Sequence, residues 1–169
     1  YGAFKRGWLI SISWAAALIA IPIAGKIGDK LFRQDPRKAL WLMGLLVTFY
    51  GIFVTIGVRF SNIILLIVFY TLGNACQGAA FTQMGPTLSA VVPYRMRAQA
   101  FSLVGVYIFL MGGFFGGILT GAFSDAYGER TALTIVVPPA ALLGGVLIMY
   151  GARFMKRDIS LVVEELLNE

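Results

Sequence analysis

The sequence predicts an all-α fold, a polytopic bundle of transmembrane helices, from three observations. The chain is 59% hydrophobic and only 13% charged, against roughly 25% charged residues in soluble domains. Its basic residues are clustered at a few points rather than spread along the chain. Uncharged windows long enough to cross a hydrocarbon layer of about 30 Å as a helix occupy residues 7–25, 39–58, 60–94, 98–124 and 131–152.

Cap and turn signals narrow these windows to defined spans. Asp35 before Pro36 is typical of a helix start, because an acidic N-cap accepts backbone hydrogen bonds and proline fits the first helical position. A basic loop is predicted over 25–38. Residues 59–62 alone separate the second and third predicted spans, which predicts a tight antiparallel hairpin. The predicted membrane spans cover about 7–24, 36–58, 63–90, 98–124 and 131–150.

Prolines inside two spans predict distortions, because proline lacks a backbone donor and clashes with the preceding turn. We expect a kink near Pro86 and a break or kink at Pro138-Pro139. Residues 153–169 are predicted to form an amphipathic cytoplasmic tail helix, since apolar residues recur there at helical spacing among acidic ones. The acids argue against an anionic membrane surface. We therefore expect the tail to dock on this protein or to lead into a further soluble domain.

The positive charges indicate the orientation, because cytoplasmic loops carry an excess of Lys and Arg. We expect a multi-pass protein of the plasma membrane with a cytoplasmic C-terminus and at least one further span upstream of Tyr1. The net charge of +6 then faces the anionic headgroups of the lipid bilayer and gives no support to a nucleic-acid partner. With alternating spans, the cytoplasmic side carries Lys26, Lys30, Arg33, Arg37, Lys38, Arg95, Arg97, Arg153, Lys156 and Arg157.

The chain is poor in the residues that catalysis and metal binding use. It has no histidine and a single cysteine, Cys76, and no Asp or Glu lies inside an apolar window. Hydrolytic triads and metal sites therefore lack their usual bases and ligands. We expect no cofactor, no metal and no enzymatic activity. A membrane-embedded enzyme is the weakest alternative, because its catalytic residues would have to lie upstream.

The segment from Gly25 to Arg33 resembles the signature loop of the major facilitator superfamily, G-x-x-x-D-[RK]-x-G-[RK]. Gly25, Asp29, Lys30 and Arg33 match that pattern, and Phe32 stands where the second glycine is usual. The resemblance implies a cytoplasmic latch, in which the aspartate engages a basic residue and a helix N-terminus of the opposite half of a transporter. A solvated basic loop is the alternative interpretation.

Glycines are concentrated in the fourth span, which is similar to the family's glycine-rich fifth or eleventh helix. A small residue at every fourth position lets another helix approach closely. These residues are therefore predicted to be either helix-packing glycines or hinge glycines of a helix that bends between transport states. The candidates are Gly112, Gly113, Gly116, Gly117 and Gly121.

A second, weaker match to the signature pattern, which we call the echo, lies on the outer side between the last two spans. It consists of Asp125, Gly128 and Arg130. Together these resemblances identify residues 1–152 as the five-span portion of a half-bundle in a twelve-helix major-facilitator-type fold. Asn74 stands where the first half often has arginine, which favours the C-terminal half, helices eight to twelve. Residues 91–98 and 117–125 also look like the spinster-type branch, whose members move lysolipids.

One face of the third span carries polar and aromatic side chains, which either pack against a neighbouring helix or line a substrate cavity. The resemblance implies a secondary transporter of a small or amphiphilic molecule that works by alternating access together with the missing transporter half. The alternative is a non-transporting membrane anchor or assembly subunit for a cytoplasmic enzyme or nucleotide-binding domain. The cavity candidates are Tyr70, Thr71, Asn74, Gln77 and Phe81.

Overall fold

The computed structural model describes the backbone of residues 3–60 and 62–168, and the side chains of residues 11–60, 62–165 and 167. Positions 1 and 169 of the predicted domains, hairpin residue 61 and the side chain at the apolar tail position 166 lie outside this description. The described chain is helical, as the all-α prediction requires. Its elements are α1 (Ala3–Gln34), α2 (Pro36–Arg59), α3 (Ile63–Val91), a 3-10 turn (Tyr94–Met96), α4 (Arg97–Tyr107), a π-helical segment (Ile108–Phe115), α5 (Gly116–Tyr127), α6 (Glu129–Gly151) and α7 (Met155–Asn168).

The described helices include five that are long and apolar enough to cross a membrane, which confirms the predicted polytopic class. The fourth of these, called the fourth span below, runs from Tyr94 to Tyr127 and contains α4, the π-helical segment and α5. The other four lie in α1, α2, α3 and α6. The chain is therefore a multi-pass membrane protein.

The stretch predicted as a basic loop over 25–38 is helical, so that prediction is wrong. Helix α1 continues to Gln34, and only Asp35 separates it from α2. Lysine, leucine, arginine and glutamine are good helix formers, and charged side chains at the end of a span can remain in the aqueous layer. The predicted start of α2 is confirmed, because the Asp35 carboxylate accepts a hydrogen bond from the backbone N–H of Arg37 at 3.0 Å.

Helices α2 and α3 form the predicted tight hairpin. Asn62 caps α3 by accepting a hydrogen bond from the backbone N–H of Ile64 at 2.9 Å. The rings of Phe60 and Phe69 stack across the hairpin with their centroids 5.6 Å apart. At Gly57 the two helices approach so closely that an added Cβ would lie 3.0 Å from the Cβ of Phe69.

Helices α2 and α6 pack through small residues. An added Cβ at Gly44 would lie 2.7 Å from the carbonyl oxygen of Gly145, and one at Gly51 would collide with the Ala141 methyl group. Ala141 and Gly145 are buried in α6. Membrane helices gain little from hydrophobic burial against each other, so such close van der Waals contact is a main source of their association.

The sequence predicts a break or a kink at Pro138-Pro139. Helix α6 runs without interruption through this pair, so the break does not occur, whereas the kink stays a prediction. Pro138 lies beside α2, since its Cα is 3.9 Å from a Cβ added at Gly51. A neighbouring helix can support the turn whose backbone bonds proline removes, which explains how the helix continues. Helix α3 likewise continues through Pro86.

The fourth span packs less closely than the others. In its most apolar stretch none of the residues is buried, and α5 contacts α6. Positions 112, 117 and 121 have no other atom within 4 Å of an added Cβ among the described residues. Those at 113 and 116 meet only Phe109 and Met111, which belong to the same span. Whether these glycines pack or bend therefore stays a prediction, and the π-helical segment contains Gly112 and Gly113.

Gly128 forms the connection between α5 and α6. Its φ of 83° lies in the region that L side chains rarely adopt, and its backbone N–H donates to the carbonyl oxygen of Ser124 at 2.8 Å. Only glycine adopts this conformation without strain. The residue therefore turns the chain from one membrane-length helix directly into the next.

The tail helix α7 docks on the bundle through its first turn. Met155 is buried, and the Lys156 ammonium forms an ion pair with the Asp35 carboxylate at 3.0 Å. Helix α7 contacts both α2 and α3. We call this side of the bundle, with Asp35, the 3-10 turn and the start of α7, the basic end.

Acidification is expected to loosen α7 through Asp35. The hydrogen bond from Lys156, and then that from the backbone of Arg37, holds the pKa of the Asp35 carboxyl below its ordinary value of 3.8. Because the folded-state pKa is lowered, this stabilisation is complete above the ordinary pKa and is lost as the pH falls through the folded-state value. Hydrogen exchange of the α7 amides as a function of pH measures the effect.

The matched variant for this experiment is Asp35→Asn, because asparagine caps a helix about as well as aspartate. It removes the ion pair and should give α7 amides that exchange faster at neutral pH with a smaller pH dependence. Glu164→Gln, at an exposed position of α7, serves as the control. Equal acid sensitivity of α7 in the native protein and in Asp35→Asn would contradict this role of Asp35.

Candidate functional site

The segment that matches the signature pattern forms the last turns of α1 at the basic end. Asp29, Lys30 and Arg33 are exposed, and Asp29 forms no ion pair within the described part of the chain. Among the described residues, no atom outside the backbone of its own turn lies within 4 Å of a Cβ added at Gly25, whereas Gly28 is buried. The segment thus offers an acid and two bases to solvent from a helix that is fixed on its opposite side.

Buried polar side chains fix α1 against α3. The Gln83 amide nitrogen donates to the backbone carbonyl oxygen of Ala24 at 3.0 Å, and Gln83 is 2% exposed. The Gln83 amide lies directly against Gly28, so that a Cβ there would collide with it. The Thr87 hydroxyl donates to the Gln83 carbonyl oxygen. Gln83 therefore connects the signature segment to the core of α3.

One part of the predicted polar face of α3 packs against α1, and another part lines a cavity. Gly78 packs on Ala17 of α1, with an added Cβ 3.2 Å from the Ala17 methyl, and Asn74, one turn earlier, is buried. Gln77 and Phe81 instead line a cavity. The predicted face is too wide to be covered by α1 alone, so some of its residues pack and others line the cavity. The sequence alone could not separate the packing positions from the lining positions.

The cavity has a volume of about 390 Å³ and lies between α2, α3, the fourth span and α6. Its only polar lining side chains among the described residues are those of Tyr50 and Gln77, and none is charged. The lining consists of Met43, Val47, Tyr50, Gln77, Ala80, Phe81, Met111, Gly112, Gly116, Val136, Val137, Ala140 and Ala141.

A second, more open cleft of about 300 Å³ lies at the basic end. It is bounded by residues of α2, α3, α6 and α7, including Thr87, Met155 and Asp158. Met43 lines both this cleft and the larger cavity. The two spaces are therefore neighbours along the inner side of α2.

Several predicted site residues lie away from the cavity. Tyr70, Thr71 and Asn74 are not in its wall, and neither are Gly113, Gly117 and Gly121. Within the described residues, the Asn74 amide nitrogen and the Thr71 hydroxyl are buried without a hydrogen-bond partner. The echo residues Asp125, Gly128 and Arg130 are exposed at the end opposite the basic end. The structure thus brings together Gln77, Phe81, Gly112 and Gly116.

Sequence reasoning missed the contributions of α2 and α6 to the wall. Met43, Val47, Val136 and Val137 have the same apolar character as lipid-facing residues, so composition gives no signal for them. Tyr50 gave a usable signal, because the hydroxyl group of a tyrosine near the middle of an uncharged window needs a hydrogen-bond partner. Gln83 was missed because it lies outside the predicted polar face.

Comparison with known proteins decides the family. The family model described as Major Facilitator Superfamily matches residues 4–160 of the chain. The chain belongs to the major facilitator superfamily. The match extends from the start of α1 into the first turns of α7, so it includes the signature segment and all the helices that surround the cavity.

A curated relative agrees with this major facilitator assignment. The chain is 28% identical over 143 residues to the "Uncharacterized MFS-type transporter YwoD" of Bacillus subtilis (strain 168), an alignment that covers 85% of the chain and 30% of the relative. The chain therefore spans about 30% of the length of that relative. No solved structure matches at the same level of significance. These findings point to transporters rather than enzymes, and they give no support to the spinster-type branch.

Proposed function

We propose that the chain is part of a secondary transporter that moves a small or amphiphilic molecule across the plasma membrane by alternating access. The observation that carries the proposal is the superfamily match over five membrane-length helices, four of which surround a cavity. The B. subtilis relative is named an MFS-type transporter, which supports the proposal of a transporter. No described feature favours the alternative of a non-transporting anchor.

The orientation is part of this proposal. The basic end carries the ten Lys and Arg residues named above, and such an excess is typical of cytoplasmic loops. In this orientation the signature segment and α7 face the cytoplasm. The partner of the segment is then a group in the remaining half of the transporter, because Asp29 has no ion-pair partner among the described residues.

Asp29, Lys30 and Arg33 act in this proposal as a latch that closes the cytoplasmic side. An acid near a helix N-terminus is stabilised by about 0.3–1 kcal/mol, and by up to about 2 kcal/mol when partly buried. Energies of that size are enough to bias two conformations of similar free energy without trapping either one. The exposed position of Asp29 at the end of α1 makes it accessible to such a partner.

Replacing Asp29 by asparagine tests the latch. We expect Asp29→Asn to change the ratio of inward-open to outward-open protein by about 2- to 5-fold, the equivalent of about 0.3–1 kcal/mol, and to slow net flux. Distances between spin labels in the reconstituted full-length protein measure the ratio. Glu164→Gln, at an exposed position of α7, is the control, and a ratio unchanged in Asp29→Asn contradicts the latch.

A further inference from the structure

The wall of the larger cavity restricts what it can hold. None of the described lining residues is Asp, Glu, Lys, Arg or His. A charged group that enters such a space gives up its hydration without gaining an ionic partner, at a cost of several kcal/mol. A molecule that binds there must therefore place an uncharged surface against the wall.

Gln77 adds a hydrogen-bonding group to this apolar wall. Its amide forms no hydrogen bond with the described residues, unlike the Gln83 amide, whose nitrogen donates to the Ala24 carbonyl oxygen. A primary amide both donates and accepts hydrogen bonds. In an apolar space an unpaired amide is stabilised by a ligand that offers the complementary group.

The size and shape of the cavity fit a small molecule. Its volume of about 390 Å³ falls within the range of roughly 300–1,000 Å³ that is usual for small-molecule sites. Phe81 offers an aromatic surface, and Met43 and Met111 offer flexible thioethers. Such side chains adapt to rings and chains of varied outline.

We infer that the cavity binds an uncharged, mainly apolar molecule with one hydrogen-bonding group, which the Gln77 amide recognises. The inference rests on the proposed function, because the occupant is taken to be the transported molecule. It narrows the substrate class to uncharged compounds and excludes cationic, anionic and zwitterionic amphiphiles from this cavity.

Probes that differ only in charge test the first part of the inference. Naphthalenemethanol, naphthylmethylammonium and naphthoate share one ring system, and equilibrium binding of each to the full-length protein in detergent micelles gives three dissociation constants. We expect the alcohol to bind about tenfold or more tightly than either ion, the equivalent of part of the desolvation cost. Equal or tighter binding of either ion overturns the inference.

Two variants test whether this binding takes place in the cavity. Gln77→Leu should weaken binding of naphthalenemethanol by about 2- to 10-fold, as expected for one lost hydrogen bond, and leave binding of naphthalene unchanged. Gly112→Leu should abolish binding of both. An added Cβ at Gly112 meets no atom of the described residues within 4 Å, apart from the backbone of its own turn, so the side chain can occupy the cavity without straining the fold. Unchanged binding in either variant contradicts the assignment.

Gly105→Leu is the matched control for Gly112→Leu. Gly105 lies in the same span and is not part of the lining. An added Cβ there likewise meets no atom of the described residues within 4 Å, apart from the backbone of its own turn. Binding should be unchanged in this variant. Because binding is measured without flux, the two proposals fail separately. If the uncharged probe binds selectively and through Gln77 but the protein does not transport, only the proposed function is contradicted. If the protein transports a charged molecule and Gly112→Leu blocks that transport, only the inference is contradicted.

Discussion

Gly145→Ala is expected to destabilise the protein by about 3 kcal/mol, the upper part of the range for overpacking a close contact. An added Cβ at Gly145 would lie 2.7 Å from the backbone carbonyl oxygen of Gly44 and would collide with the Thr48 hydroxyl. The Gly44 carbonyl belongs to the backbone of α2, so it cannot move without shifting that helix. The free energy of unfolding, measured by titration from a mild detergent into SDS, gives the size of the effect.

Gly144→Ala is the matched control, because Gly144 is the adjacent residue on the same helix. Of the described side chains, an added Cβ there meets only the Val47 methyl, at 3.9 Å, which is ordinary van der Waals contact. This variant should match or slightly exceed the native stability, since alanine favours helix over glycine by roughly 1 kcal/mol. Equal stability of the two variants would show that α2 and α6 are not in the close contact described.

Gly28→Ala is the second substitution with a large expected effect, a loss of about 1–3 kcal/mol. The new methyl group would collide with the Gln83 amide, which is buried and bonded to the Ala24 carbonyl oxygen. The side chain of Gln83 has to move, and its hydrogen bond to α1 is lost. The same unfolding titration measures the loss of stability.

A double-mutant cycle with Gln83→Ala isolates the contact at Gly28. The double variant should be more stable than the sum of the single effects predicts by about 0.5–3 kcal/mol, because the second alanine finds the space already vacated. Gly25→Ala is the control, because an added Cβ at Gly25 meets no atom within 4 Å in the described part of the chain, apart from the backbone of its own turn. Strict additivity in the cycle, or a loss in Gly25→Ala as large as in Gly28→Ala, would argue against the described packing of the signature segment.

The membrane-length helices could be predicted because their signal is strong and local. Asp35-Pro36 marks a helix start by side-chain chemistry that acts within two residues, and the structure has this cap. The hairpin between α2 and α3 follows from the shortness of its connection. These features depend on neighbouring residues in sequence, so no knowledge of the packing is needed to see them.

The remaining features depend on contacts between helices that are distant in sequence. The signature segment looked like a loop because it contains two glycines and several charges, but Gly28 serves close packing against Gln83 in a continuous helix. Asn74 and Gln77 lie on one predicted face, yet only Gln77 reaches the cavity. Which side of α3 meets α1 and which meets α2 is set by the whole bundle.

The proposed orientation is tested most directly by measuring on which side of the membrane the basic end lies. Single cysteines are placed at the exposed positions Arg33 and Tyr127 in protein that carries Cys76→Ala, and a membrane-impermeant maleimide is added to intact cells. We predict that the cysteine at Tyr127 reacts from outside and that the one at Arg33 reacts only after the membrane is opened. Labelling of the cysteine at Arg33 in intact cells would contradict the orientation, and with it the cytoplasmic latch.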